Sequence, residues 1–308
     1  MFRVFRIIFI YIVYLFLLIL ILSCSTIKDY IDEDFFDSDN NIDITLSRLT
    51  FVKKIGLNIS NYCSLKGVLY SSQGVSINNG VLYRLFDSGI CQSYNLSDIN
   101  NPLLISTFEL ASRGTNNHCN CSQFYYDNNT GLLLYISGLR GKCYVEKISV
   151  NSSRLIQTIS LEQLDIFNNT LNLNIICGDD GYLWLFGDDR NSNTLFFAKA
   201  RRPAVSEGDV TIRRDDIIDY WSQEKYNYSE SVWQGGMVYG GYLYFLFGTS
   251  NSKRHIAVYN TISHQLIDDI DLNTIIKEEP EDCDLTNDGH LVIATNGGKG
   301  FYLFKLNF

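Results

Sequence analysis

Two stretches of this chain, 161 residues apart, align without a gap. Residues 73–86 read QGVSINNGVLYRLF and residues 234–247 read QGGMVYGGYLYFLF; both fit Q-G-x-x-[IV]-x-x-G-x-L-Y-x-L-F. Shorter copies lie between and after them: GLLLYIS at 131–137, GYLWLF at 181–186 and GHLVIAT at 289–295. The turn glycines are Gly80, Gly131, Gly181, Gly241 and Gly289, spaced 51, 50, 60 and 48 residues apart. A period near 50 built on short strands is the signature of a propeller. The glycine supplies the turn backbone that a residue with a β-carbon resists, and Tyr, Phe, Ile and Val supply strand preference.

The expected fold is therefore all-β, a β-propeller over residues 49–308. Five blades is the count the glycines give. Six stays open, because Gly67-Val68-Leu69-Tyr70 echoes the repeat. The last unit runs out of chain at Phe308 after about three strands, while Leu49–Leu57 reads as a lone strand with no partner of its own. That N-terminal strand is expected to close the ring in the last blade, which removes exposed sheet edges. Residues 213–232 read as an acidic and aromatic insertion between blades three and four, a short helix and loop.

The chain opens MFRVFRIIFIYIVYLFLLILILSCS. Arg3 and Arg6 precede an apolar run of 16 residues, Ile7 to Leu22, then Ser23 and Cys24. A positive start, an apolar core and a small residue mark an export signal over 1–23, too short to be read first as a spanning helix. Residues 24–48 read as an acidic tether, with seven acidic side chains and one lysine in 28–43. Such a stretch repels itself and stays extended.

Ile21-Leu22-Ser23-Cys24 resembles the lipobox of bacterial lipoproteins. The resemblance implies cleavage before Cys24 and lipid on that cysteine, hence a bilayer as partner. An acidic segment after such a cysteine resembles the surface-export signal of some Gram-negative lipoproteins, which implies an outer-membrane, outward-facing location. Several acyl chains on one cysteine hold a protein at a membrane without a spanning helix. The blade period, with the Gln-Gly segments and Glu279-Pro280-Glu281, makes the domain similar to the TolB-like or NHL-like propellers of exported bacterial proteins. That resemblance implies fold more firmly than activity.

The first strand of each propeller blade lines the central channel. Seven residues before the turn glycine stand Gln73, Gln234 and, in the last blade, Asp282 beside Glu281. In blade three the place is near Asn174, with Asp179 and Asp180 at the turn. In blade two Asn117-His118-Cys119-Asn120 precedes the strand. Gln73, His118, Gln234, Glu281 and Asp282 are thus the candidate ligand contacts at the channel mouth, offering donors, acceptors and a titratable ring. Repeated Gln-Gly also fits a plainer role, satisfying backbone groups where inner strands crowd.

The expected role is a non-catalytic propeller that holds a small polar ligand, a glycan or a partner protein. The alternative is a carboxylate-dependent glycoside hydrolase or related lyase. Glu281 and Asp179 are then the carboxylate pair and His118 a proton carrier. Gln stands at two inner positions where catalysis would want a carboxylate. No G-x-S-x-G elbow, P-loop or G-x-G-x-x-G opening a helix occurs.

A formal net charge of −9 argues against nucleic acid as a partner, since that binding needs clustered cations. No cofactor is expected. His118, Cys119 and Cys121 lack zinc geometry, because adjacent strand residues face opposite ways. Oxygen-rich Asp179, Asp180, Glu281 and Asp282 leave calcium as the cation to consider, without an EF-hand-like loop. The eight cysteines permit no deduced pairing, and Cys91 and Cys143 read as packed thiols.

Overall fold

The structure is a computed structural model. It describes residues 49–56, 62–65, 68–189, 193–206, 208–225, 232–296 and 300–307. The export signal, Cys24 and the acidic tether lie outside the described residues.

The described chain forms five sheets. Strand β1 (Leu49–Gly56) comes first. Blade one follows as β2 (Tyr62–Leu65), β3 (Val68–Asn78), β4 (Val81–Phe86), β5 (Ile90–Asn95) and β6 (Leu103–Glu109). Blade two holds β7 (Cys121–Asp127), β8 (Gly131–Ser137), β9 (Lys142–Ile148) and β10 (Ser153–Leu161). Blade three holds β11 (Leu173–Cys177), β12 (Leu183–Asp189) and β13 (Thr194–Ala200). The chain then places β14 (Gly208–Ile212) back on blade two before returning with β15 (Ile217–Glu224) as the outer strand of blade three. Blade four is β16 (Trp233–Tyr239), β17 (Tyr242–Phe247), β18 (His255–Asn260) and β19 (Leu266–Asp271). Blade five is β20 (Glu279–Leu285), β21 (His290–Asn296), β22 (Gly300–Leu306) and, last in the sheet, β1.

The architecture is the five-bladed propeller that the turn glycines imply. β1 pairs antiparallel with β22, from Leu49 opposite Leu306 to Gly56 opposite Gly300. The ring therefore closes between the two ends of the domain. The echo at Val68-Leu69-Tyr70 is not a sixth blade. It pairs with β2 in a hairpin, Tyr62 opposite Ser71, that extends the inner strand of blade one.

The expected insertion at 213–232 is also different. Residues 217–224 pair with β13 and complete blade three, after one 3-10 turn at Arg214–Asp216. The departure from the blade plan lies earlier, where β14 adds a parallel fifth strand to blade two, Gln157 opposite Gly208.

Why the repeat reads as a continuous apolar run follows from the packing. Each blade is covered on both faces, so both sets of alternating side chains are buried. In β4, Leu82 packs with Val292 and Phe301 of blade five, while Tyr83 and Leu85 pack with Leu134 and Ile136 of blade two. Between blades three and four, the Phe186 and Phe245 rings meet edge to face at 5.0 Å; within blade three, Phe197 stacks on its cross-strand neighbour Trp221 at 4.8 Å. Buried side chains of this size contribute about 1.5–3 kcal/mol each by apolar burial alone. Cys91, Cys119, Cys121, Cys143, Cys177 and Cys283 are buried free thiols within these layers.

Candidate functional site

The inner strands all start at one end of the axis, and the second strands return there. The hairpin turns carrying Gly80, Gly181, Gly241 and Gly289 sit at the other end. Two very different polar regions result along one axis: a plug in the middle and an open mouth.

The plug centres on Asp282, which is fully buried. Its Oδ2 accepts the backbone N–H of Val75 and of Ser122, and its Oδ1 accepts that of Gly236, each at 3.0 Å. One carboxyl thus ties the inner strands of blades one, two and four to blade five. Burial pushes this carboxyl up, against the opposing pull of the N–H groups. Gln123 crosses from blade two to blade four. Its Nε2 donates to the Val238 carbonyl at 2.7 Å and its Oε1 accepts the Val238 N–H at 3.1 Å. The Ser76 and Ser122 hydroxyls bond to each other at 2.7 Å. Asp284, one step deeper, accepts the Ile77 N–H at 2.6 Å, and its burial pushes the carboxyl up to about 7.

The mouth is a cavity of about 390 Å³ lined from all five blades. Blade one contributes Ser71, Gln73 and Asp87; blade two His118, Asn120 and Leu139; blade three Asn172. Blade four contributes Val232, Trp233 and Gln234; blade five Glu279, Glu281 and Asn296. Four of the five expected ligand contacts, Gln73, His118, Gln234 and Glu281, are brought together there.

Asp282 is not among them, although it adjoins Glu281 in sequence. The turn of blade five, Asn287-Asp288-Gly289, has one residue more than Asn79-Gly80 or Gly240-Gly241. Counting seven back from the glycine therefore stops one residue short. Glu281 matches Gln73 and Gln234 at the inner-strand bulge, and Asp282 matches Gly74 and Gly235. A Cβ at Gly235 would stand 2.5 Å from Asp282 Oδ1, so the glycine is what lets that carboxyl reach the axis.

Asp179 is also elsewhere. It sits in the turn after β11, where its Oδ2 accepts the Gly240 N–H at 2.9 Å. The five residues of β11, roughly 16 Å of strand, separate it from Asn172 at the mouth. It cannot pair with Glu281 across a bond. For the same reason Asp179, Asp180, Glu281 and Asp282 do not form one calcium cage. Among the described residues no group of three or more His, Cys, Asp or Glu side chains has metal-binding geometry.

The sequence reading missed Asp87 and Glu279. Asp87 follows the last Phe of the repeat, in the turn between β4 and β5. It accepts from the Ser71 hydroxyl at 2.7 Å and pairs with His118 Nδ1, joining blade one to blade two. Burial works to raise its carboxyl, but the hydrogen bonds from His118 and Ser71 outweigh that and hold it below the usual carboxylate range. Glu279 accepts from Gln234 Nε2 at 2.8 Å. The same amide donates to the Gly248 carbonyl at 3.0 Å.

Glu281 shows the opposite environment. It is 3% exposed, and burial pushes its carboxyl well up, helped by the negative charge of Glu279. Burial disfavours its charged form, and in its protonated form it can donate a hydrogen bond as well as accept one. Asp87, ionised, can only accept. Trp233 is 6% exposed, and its indole N–H has no acceptor. The mouth thus combines a carboxyl whose charged form burial disfavours, a charged carboxylate and amides from all five blades.

No protein-family model matches this sequence, and no curated protein matches it. Solved structures do resemble it. The glutaminyl cyclase of Myxococcus xanthus is 9% identical with a TM-score of 0.49, over 84% of this chain and 96% of that one. A GH43 β-1,3-galactosidase is 9% identical at 0.46, over 82% and 93%. The WD40 β-propeller domain of Doa1 is 8% identical at 0.39, over 84% and 98%. What they have in common with this chain is an architecture, which its own strand order establishes independently; none of their activities transfers on such likeness.

Proposed function

We propose that this chain is an exported lipoprotein, anchored through lipid on Cys24, whose propeller holds a small polar ligand at the mouth of its axis. The observation that carries the ligand reading is the contrast within one set of inner strands. Polar side chains at the plug are consumed by backbone groups, whereas those at the mouth converge from five blades on an empty volume. A glycan or the polar tip of a partner protein fits the same donors and acceptors. The anchor reading rests on Arg3, Arg6, the apolar run and Ile21-Leu22-Ser23-Cys24. It places the domain outside the cytoplasm of a Gram-negative cell, at the outer membrane.

Calorimetric titration of the full chain with a panel of sugars, sugar acids, amino sugars and amino acids tests the mouth. Binding that is lost in Gln234→Ala, with the melting temperature held, is expected. Silence across the panel, or binding indifferent to both Gln73→Ala and Gln234→Ala, overturns the reading. Metabolic labelling with an alkyne fatty acid tests the anchor: label is expected on the parent chain and none on Cys24→Ser.

One observation favours a second reading, glycoside hydrolysis. Burial raises the Glu281 carboxyl well above its usual range while hydrogen bonds hold Asp87 below it, the kind of split that separates a general acid from a charged partner. Turnover of nitrophenyl glycosides that vanishes in Glu281→Gln supports it. Turnover that survives the change excludes Glu281 as the acid.

A further inference from the structure

The charge of the mouth narrows the ligand further; this step rests on the ligand-binding reading above. Three carboxyl groups, Asp87, Glu279 and Glu281, line a cavity of about 390 Å³, and no Lys or Arg is among the described residues that line it. The remaining polar groups there are amides, the Ser71 hydroxyl and His118. Asp87 has His118 and Ser71 beside it, whereas among the described residues Glu279 has a neutral partner, Gln234 Nε2. An anionic ligand would enter against these carboxylates. A purely apolar one would strip water from the polar groups and return nothing.

A second feature is the set of amides. Gln73, Asn120, Asn172, Gln234 and Asn296 bring one from each blade to the same cavity. An amide offers both donor and acceptor, which hydroxyl groups match. A ligand that satisfies both features carries a cation at one point and hydroxyl groups at others.

We propose that the mouth selects a small hydroxylated primary amine, of which amino sugars are the natural class, with the ammonium among Asp87, Glu279 and Glu281. The amides of Gln73 and Asn120 and the amide oxygen of Gln234 then hydrogen-bond hydroxyl groups.

The test compares glucosamine and galactosamine with glucose, N-acetylglucosamine and glucuronate. Titrations use the full chain held in a mild non-ionic detergent at pH 6, where the amino sugars carry their charge. The amino sugars are expected to bind at least about tenfold more tightly than the others, since the carboxylates nearby attract the ammonium. Glu279→Gln lowers amino-sugar affinity by about tenfold without lowering the melting temperature. Glucose or N-acetylglucosamine binding as tightly as glucosamine overturns the amine assignment and leaves the polar-ligand reading intact. Preference for glucuronate, or no binding of either amino sugar, also overturns it.

Discussion

Glu281 and Asp282 are consecutive, both acidic and both buried, yet they sit in different worlds. Asp282 is held by three backbone N–H groups from three blades; Glu281 stands at the rim of a cavity with Asn296 beside it. The same contrast separates Gln123, whose amide is taken up by the Val238 backbone of another blade, from Gln234. A polar residue on an inner strand is therefore no sign of a ligand. What separates the two regions is whether the backbone of a neighbouring blade already uses the side chain.

The contrast can be broken most severely at Asp282. Asp282→Ala strands three buried N–H groups, each costing roughly 1–3 kcal/mol. The melting temperature of the variant is expected to fall by about 10 °C or more, or the chain to fail to accumulate folded. A fall of a degree or two would mean that the blades do not depend on this hub. Gln123→Ala leaves the Val238 N–H and carbonyl unpaired, a loss of about 2 kcal/mol, measurable by denaturant titration. Gln234→Ala, at the mouth, is expected to cost less than half of that.

Asp284 sharpens the comparison through pH. Its carboxyl titrates near 7 in the folded chain but near 4 when unfolded. Between those values the native state keeps a proton that the unfolded state has lost. Stability therefore falls as pH rises from about 4 to about 7, by up to roughly 1 kcal/mol per pH unit from this group. Asp284→Asn is expected to flatten that slope in melts taken at a series of pH values; an unchanged slope would remove Asp284 as its source. The smallest effect belongs to Glu281→Gln. A glutamine keeps the shape and removes a carboxyl whose charged form burial disfavours, so stability is expected to move by less than about 0.5 kcal/mol. A large loss would show that Glu281 is part of the plug after all.

Blade number and ring closure were legible because they rest on the spacing of turn glycines and on a strand left over at the start. The position of Glu281 was legible only to within one residue, since a single extra residue in the blade-five turn shifts the count and reverses which face a side chain takes. Asp87 was visible as the residue after the repeat, where the other full copy has Gly248, but nothing local says that this turn folds over the mouth. His118 stood out for its place before β7; its partner, 31 residues earlier, did not. The detour of β14 was hidden for a different reason. Its segment, GDVTI, is polar and short, and it is a strand only because the edge of β10 offers it hydrogen bonds.

Ring closure by β1 also sets an order of events. The first strand of the domain to leave the ribosome has its partner, β22, at the far end of the chain, some 250 residues later. It must wait unpaired through the synthesis of four blades, and the final joining carries the largest chain-closure entropy in the molecule. A permuted chain that begins at blade one and ends with β1 would turn that longest-range pairing into a neighbouring hairpin. Such a chain should reach the same wheel faster while presenting the same mouth.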